Sequence, residues 1–256
     1  MINLVYQRDA TIESEGKDMT QCITRSQRGQ FSMLPIQYGT SSLGAPLYYF
    51  PAQCQAENAG LLFAGMHGDE TASISLLSAG LRTIAHARLR HHVIVSANPD
   101  GNQLGLRSNA NGVDLNRNFP TQNWSGNGTV YRWNSYAETR DVYLNTGEYG
   151  GSEPETHHLI ELIDSLQPTF ILSFHEPLAC IDAGQHKKLG KKLVEMFELP
   201  LMDGVGYDTP GSFGTWCDEQ AIENITIELP PIATDDVTEK YLNTVSSLLV
   251  DDINHR

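Results

Sequence analysis

The chain has 256 residues, enough for one large α/β domain or two small ones with a buried core. Its 17 Lys and Arg stand against 31 Asp and Glu, and the basic residues are scattered without a run. A net charge of −14 so distributed argues against a nucleic-acid groove or an anionic membrane surface, and 40% apolar content excludes a disordered or fibrous chain.

The first residues, Met1-Ile2-Asn3-Leu4-Val5, lack the apolar core of a secretory signal, and no run approaches membrane-spanning length. A cytoplasmic protein is expected. Cys22, Cys54, Cys180 and Cys217 are widely spaced with no C-x-x-C pair, so they read as reduced thiols. Residues 1–28 are polar and weakly patterned and are expected to form an N-terminal extension, with a single domain over 29–256. Strands are predicted at Leu47–Phe50, Leu61–Ala64, Val93–Ala97, Phe170–Phe174 and Ile225–Glu228. Helical faces are predicted through Ile74, Leu77, Leu81 and Ile84, and through Leu159, Leu162, Ile163 and Leu166. The latter helix opens with Ser152-Glu153-Pro154-Glu155, read as a capping box with proline in the first turn. Two more helices carry Leu189, Leu193 and Phe197, and Val237, Tyr241, Val245, Leu248 and Leu249. Strands alternating with helices imply an α/β sandwich around a mixed, mostly parallel sheet with helices on both faces. From Asn98 to about Ser152 the periodicity fades and six asparagines fall between 98 and 118. So long an irregular segment in a compact domain tends to carry function.

The chemistry collects where strands end. The strand at Leu61–Ala64 runs into Gly65-Met66-His67-Gly68-Asp69-Glu70, placing an imidazole and a carboxylate at a strand-to-helix turn. Those are two zinc donors, and a catalytic zinc takes a third with a position left for water. Alone, a His-x-x-Glu pair is usually two polar surface neighbours. His175 ends the strand at Phe170–Phe174, and Glu228 ends the strand at Ile225–Glu228. Each has a plain structural reading, but three strand ends supplying His and Glu, His, and Glu together describe a site. Glu228 there suits a general base. Asn98-Pro99-Asp100-Gly101 reads as a turn; after it come Arg107 and Arg117, guanidiniums suited to an oxyanion or a substrate carboxylate.

His67-x-x-Glu70, Asn98-Pro99-Asp100-Gly101, Asp114-x-Asn116-Arg117-Asn118, Ser173-Phe174-His175 and Ile227-Glu228-Leu229 occur in the order of the zinc carboxypeptidase family, which the chain resembles from about Gly29 to Leu249. Leu104 to Pro120, Val130 to Ser135, Gly151 to Thr156 and Val205 to Gly214 are similar to its bacterial murein peptide amidase branch. The resemblance implies one zinc on His67, Glu70 and His175, with Glu228 and Arg107 catalytic. It implies Asn116 and Arg117 on the α-carboxylate of the leaving residue, with Tyr207 and Phe213 also against substrate. Tyr207 stands one residue closer to Gly211-Ser212 than its counterpart in the digestive enzymes, and Asp69 replaces their common arginine. The branch implies a murein peptide substrate, L-Ala-γ-D-Glu-meso-diaminopimelate, cut at the γ-D-Glu–diaminopimelate bond in cell-wall recycling. Arg132, Asp182 and Thr215 are polar residues for its far end, among which the sequence does not choose. A general C-terminal carboxypeptidase and an inactive peptide-binding module are the rival readings. No nucleic-acid or membrane partner is expected; the oligomeric state, a homodimer included, is left open.

Overall fold

The computed structural model describes residues 31, 33–53, 58–133, 140–202, 204 and 209–253, with backbone alone for 130–133 and 140. The expected extension over residues 1–28, together with Cys22, Cys54 and Tyr207, lies outside the described residues. In chain order, β1 (Ile36–Thr40) and β2 (Pro46–Tyr49) form an antiparallel pair ahead of the main sheet. Then come β3 (Leu61–Ala64), α1 (Thr71–Thr83), β4 (His92–Ile94) and α2 (Pro99–Leu104). A hairpin of β5 (Thr129–Trp133) and β6 (Arg140–Leu144) precedes α3 (Pro154–Leu166), β7 (Ile171–His175) and β8 (Cys180–Asp182). The chain closes with α4 (Lys187–Phe197), β9 (Leu201–Met202), α5 (Phe213–Glu219), β10 (Asn224–Glu228) and α6 (Thr234–Val250).

Six strands form the main sheet in the order β4-β3-β7-β10-β8-β9, parallel except where β8 runs against β10. Alternation along the strands feeds two apolar layers. Leu62, Leu172, Phe174, Ile225 and Ile227 meet Leu77 and Leu81 of α1, Leu193 and Phe197 of α4, and Val245 and Leu249 of α6. On the opposite face Leu61, Phe63 and Ile171 meet Leu159 and Ile163 of α3, and Phe213 and Trp216 of α5. Helices therefore cover both faces, as the alternating pattern predicts.

Several local expectations need correction. The residue at the N-cap of α3 is Glu153, without a side-chain cap bond, so Ser152 builds no capping box, although Pro154 does open the helix. The Ser152 hydroxyl instead bonds Glu153 Oε1 at 3.0 Å. Asn98-Pro99-Asp100-Gly101 is a helix start, not a free turn: Asn98 caps α2 by accepting from Gly101 N at 2.9 Å. The strand predicted at Val93–Ala97 is shorter and begins at His92. The segment taken as irregular is pinned by buried carboxylates. Glu155 accepts from Ser42 N (2.8 Å) and Asn109 Nδ2 (3.0 Å), and Glu153 from Asn109 Nδ2 (2.7 Å) and Asn111 Nδ2 (2.8 Å). Those asparagines are the loop's internal fastenings, satisfying acids that would otherwise be costly to bury.

Candidate metal centre and substrate slot

β3 is apolar throughout and delivers the chain to Gly65, whose φ of +68° favours glycine. A Cβ on Gly68 would run into the backbone of Gly101, so the turn carrying His67 and Glu70 is pressed onto the start of α2. Glu70 occupies the N-cap position of α1, yet its side chain makes no cap bond. Its Oε1 instead lies 2.7 Å from His67 Nδ1 and 2.9 Å from Arg107 Nη1, and its Oε2 lies 2.8 Å from His175 Nδ1. His175 arrives at the end of β7, next to β3 in the sheet. All three residues are buried, and their donor atoms lie within 4.8 Å of one another. Two imidazole nitrogens and a carboxylate so converged fit a catalytic zinc, which takes three protein donors.

The register sets Glu228 of β10 directly beside His175 of β7, and Glu228 Oε2 accepts from Leu178 N at 3.3 Å. Asn116 Oδ1 accepts from Phe213 N at 2.9 Å, and Arg117 Nη1 donates to the carbonyl of Asn116 at 2.6 Å. A cavity of about 300 Å³ joins His67, Glu70, Arg107, Asn116, Arg117 and Glu228. Phe213 also lines it, but its ring is buried in the core, 5.0 Å from Phe63 and 5.1 Å from Phe119 between centroids. Asp182 and Thr215 line the same cavity; the side chain of Arg132 lies outside the described residues.

A zinc carboxypeptidase profile matches residues 15–178, more than half of the chain and beginning inside the segment read as an extension. The chain belongs to the zinc carboxypeptidase family. As a member it is a hydrolase. It is 54% identical over 231 residues to murein peptide amidase A of Escherichia coli (strain K12), covering 90% of this chain and 96% of that protein. The Vibrio campbellii murein peptide amidase A is 54% identical over 230 residues, covering 90% and 93%. Among solved structures, murein-tripeptide amidase MpaA from Escherichia coli O157 superposes with a TM-score of 0.85 at 53% identity, covering 90% of this chain and 97% of that one.

The electrostatics suit a hydrolase of this family. Burial opposes the charge on Glu70, but His67 and His175 outweigh it and hold the carboxyl well below its usual range. Burial and Arg107 likewise oppose charge on His67, while Glu70 and Asp114 carry it up to about 9. A metal cation would compete for those same nitrogens. Burial pushes the Glu228 carboxyl up, with His175 opposing and Glu70 adding to the shift.

Two residues emerge that the sequence reading gave no role. Asp114 Oδ1 lies 3.2 Å from His67 Nε2, and its Oδ2 lies 3.8 Å from Arg107 Nε. A carboxylate on the far nitrogen fixes the ring and leaves Nδ1 for a metal. The signal was present in Asp114-x-Asn116-Arg117. Glu176, directly after His175, accepts from Ala72 N (2.8 Å) and Ser73 N (3.4 Å) at the start of α1. Burial pushes its carboxyl up to about 7; those two amides oppose the shift and Glu70 adds to it. No spacing in the sequence marks that contact. Among the described residues no helix is long and apolar enough to cross a membrane.

Proposed function

We propose that the chain is a zinc-dependent amidase that hydrolyses the γ-D-Glu–meso-diaminopimelate bond of murein tripeptide in the cytoplasm, during cell-wall peptide recycling. Residues 29–256 act as its single catalytic domain. The observation that carries this reading is a buried three-donor site with a carboxylate on the neighbouring strand, in a chain matching murein peptide amidase A over nearly its whole length.

His67, Glu70 and His175 would hold one zinc, which when bound polarises a carbonyl and acidifies a water molecule. Glu228 accepts the proton of the attacking water as the new carbon–oxygen bond forms. Its buried setting raises its basicity towards that task. Arg107 donates to the carbonyl oxygen as negative charge builds there. Glu228 then passes its proton to the nitrogen of diaminopimelate as the carbon–nitrogen bond breaks. Asn116 and Arg117 hold the α-carboxylate of that leaving residue, the guanidinium in a forked pair. Phe213 backs the wall of the pocket, and Tyr207 contacts the substrate from the segment ahead of Gly211-Ser212.

The test compares L-Ala-γ-D-Glu-meso-diaminopimelate with a peptide ending in an ordinary L-residue. The murein tripeptide is expected to show the higher kcat/KM. A higher value for the ordinary peptide would make the chain a general carboxypeptidase.

A further inference from the structure

We infer that Thr121 and Asn123 are positioning residues for the α-carboxylate of the leaving residue. Together they latch the backbone at Gly211, and through it they turn the amide of Asn116 towards that carboxylate. Neither side chain lines the cavity, so their effect on substrate passes through Asn116. For its substrate this inference rests on the amidase reading above.

An asparagine amide is two-faced: its oxygen accepts, its nitrogen donates, and a half turn exchanges them. Only the nitrogen serves a carboxylate. In the single turn Leu115–Arg117, Asn116 Oδ1 accepts from Phe213 N at 2.9 Å. A backbone N–H can only donate, so this bond settles which side of the amide is oxygen and leaves Nδ2 on the other. The main chain of Asn116 is held separately. Its N–H donates to Asp114 Oδ1 at 2.9 Å, and its carbonyl accepts from Arg117 Nη1 at 2.6 Å. The orientation of the amide therefore depends on where Phe213 N stands.

Phe213 opens α5, and the chain just ahead of the helix is fixed at Gly211. Gly211 O accepts from Phe119 N at 2.9 Å. Gly211 N donates to Thr121 Oγ1 at 3.1 Å and to Asn123 Oδ1 at 3.3 Å. Thr121 Oγ1 itself donates to Asn123 Oδ1 at 2.7 Å. The single hydroxyl proton is thus spent on Asn123, and a lone pair is left turned to Gly211 N. A Cβ on Gly211 would stand 2.3 Å from the Arg117 carbonyl oxygen, and φ there is +72°, so glycine is what lets the chain come this close. At the other end of α5, Gln122 N donates to Glu219 Oε1 at 2.9 Å. The stretch from Phe119 to Asn123 therefore splints α5 at both ends, directly after the two residues that hold the carboxylate.

Gly211 and Thr121 are both buried, so an amide released there finds no water to replace its acceptors. Removing the Thr121 hydroxyl leaves Gly211 N only the longer of its two bonds. Removing the Asn123 side chain takes away that bond and frees the hydroxyl to rotate. Either change lets residues 211–213 drift from Asn116. Without Phe213 N the amide has no preferred face, and turned over it sets an oxygen against the carboxylate of the substrate. His175 and Glu228 end β7 and β10, and His67 and Glu70 follow β3, all outside this latch. The cost therefore falls on KM, and only for substrates that carry the carboxylate.

The experiment measures kcat and KM of the zinc-loaded enzyme for L-Ala-γ-D-Glu-meso-diaminopimelate and for the same peptide with the α-carboxylate of its last residue amidated. Wild type is compared with Thr121→Val, Asn123→Ala and Thr121→Ser. Thr121→Val and Asn123→Ala are expected to raise KM for the free acid about 10-fold, with KM for the amide and both kcat values held within about twofold. Thr121→Ser, which keeps the hydroxyl, is expected to hold the wild-type preference for the free acid. Asn123 is exposed, so its variant carries the test if Thr121→Val folds poorly. A preference unchanged in Thr121→Val and Asn123→Ala, whether the rates on the two peptides hold or fall together, would overturn the assignment. Failure of the amidase reading shows differently, as a wild-type enzyme that cuts only peptides ending in an ordinary L-residue. The same acid-to-amide comparison on such a peptide then decides the latch.

Discussion

Glu70 stands at the N-cap position of α1 but spends both oxygens on two imidazoles and a guanidinium. At this scale a residue's role follows from what its neighbours leave it to do. Among the described residues no cation bonds Glu228, and it is buried, so its proton affinity is raised where a base is wanted. Glu228→Gln is expected to lower kcat by about 10³-fold or more while zinc content, read by metal analysis, stays at one per chain. An unchanged rate would remove Glu228 as the base. The four residues His67, Glu70, His175 and Glu228 were legible in the sequence because each follows an apolar strand that no charge should end without reason. Asp114 was harder to assign, since its partner His67 is 47 positions away and only folding brings them together.

Between elements, Glu176 does for α1 what Glu70 cannot. It accepts from Ala72 N and Ser73 N, the second and third helical amides, where an N-cap side chain would normally bond. It thereby fastens the end of β7, with His175, to the start of α1, with Glu70. Glu176→Ala is expected to destabilise the fold by about 1 kcal/mol and to raise the Kd for zinc about 10-fold, with Glu176→Gln restoring part of both. Competition against a chelator measures the Kd, and an unchanged value would reduce Glu176 to a local cap. Long periodic helices and β3, β7 and β10 were readable because their apolar residues repeat at fixed intervals. The short elements β8, β9 and α5 were not: two or three residues carry no period, and seven barely complete two helical turns. The polar face of β10 was printed in Asn224-Ile-Thr-Ile-Glu228, but it reads as an edge strand until the sheet order places it in the middle.

For the whole molecule, His91 ties distant parts of the chain. It is fully buried, its Nδ1 accepting from Gly60 N at 2.9 Å ahead of β3 and its Nε2 meeting the carbonyl of Asp251 at 2.9 Å after α6. Burial lowers its pKa to about 4. Above pH 6.5 the ring is neutral in both folded and unfolded chains. As pH falls towards 4 the unfolded chain takes up a proton that the folded chain refuses, so this contribution to stability is lost. Denaturant unfolding is expected to show wild type losing about 2–3 kcal/mol more than His91→Gln between pH 7 and pH 4.5. Parallel losses would show that His91 is not the group responsible.

The act proposed for the molecule, a metal-dependent cut beside diaminopimelate, draws on β3, β7 and β10, whose ends meet at the cavity. Mass spectrometry of the products from murein tripeptide, with and without chelator, tests this most directly. The expected products are free diaminopimelate and L-Ala-γ-D-Glu, abolished by the chelator and restored by added zinc. Cleavage at the L-Ala bond, or turnover indifferent to chelation, would contradict the account.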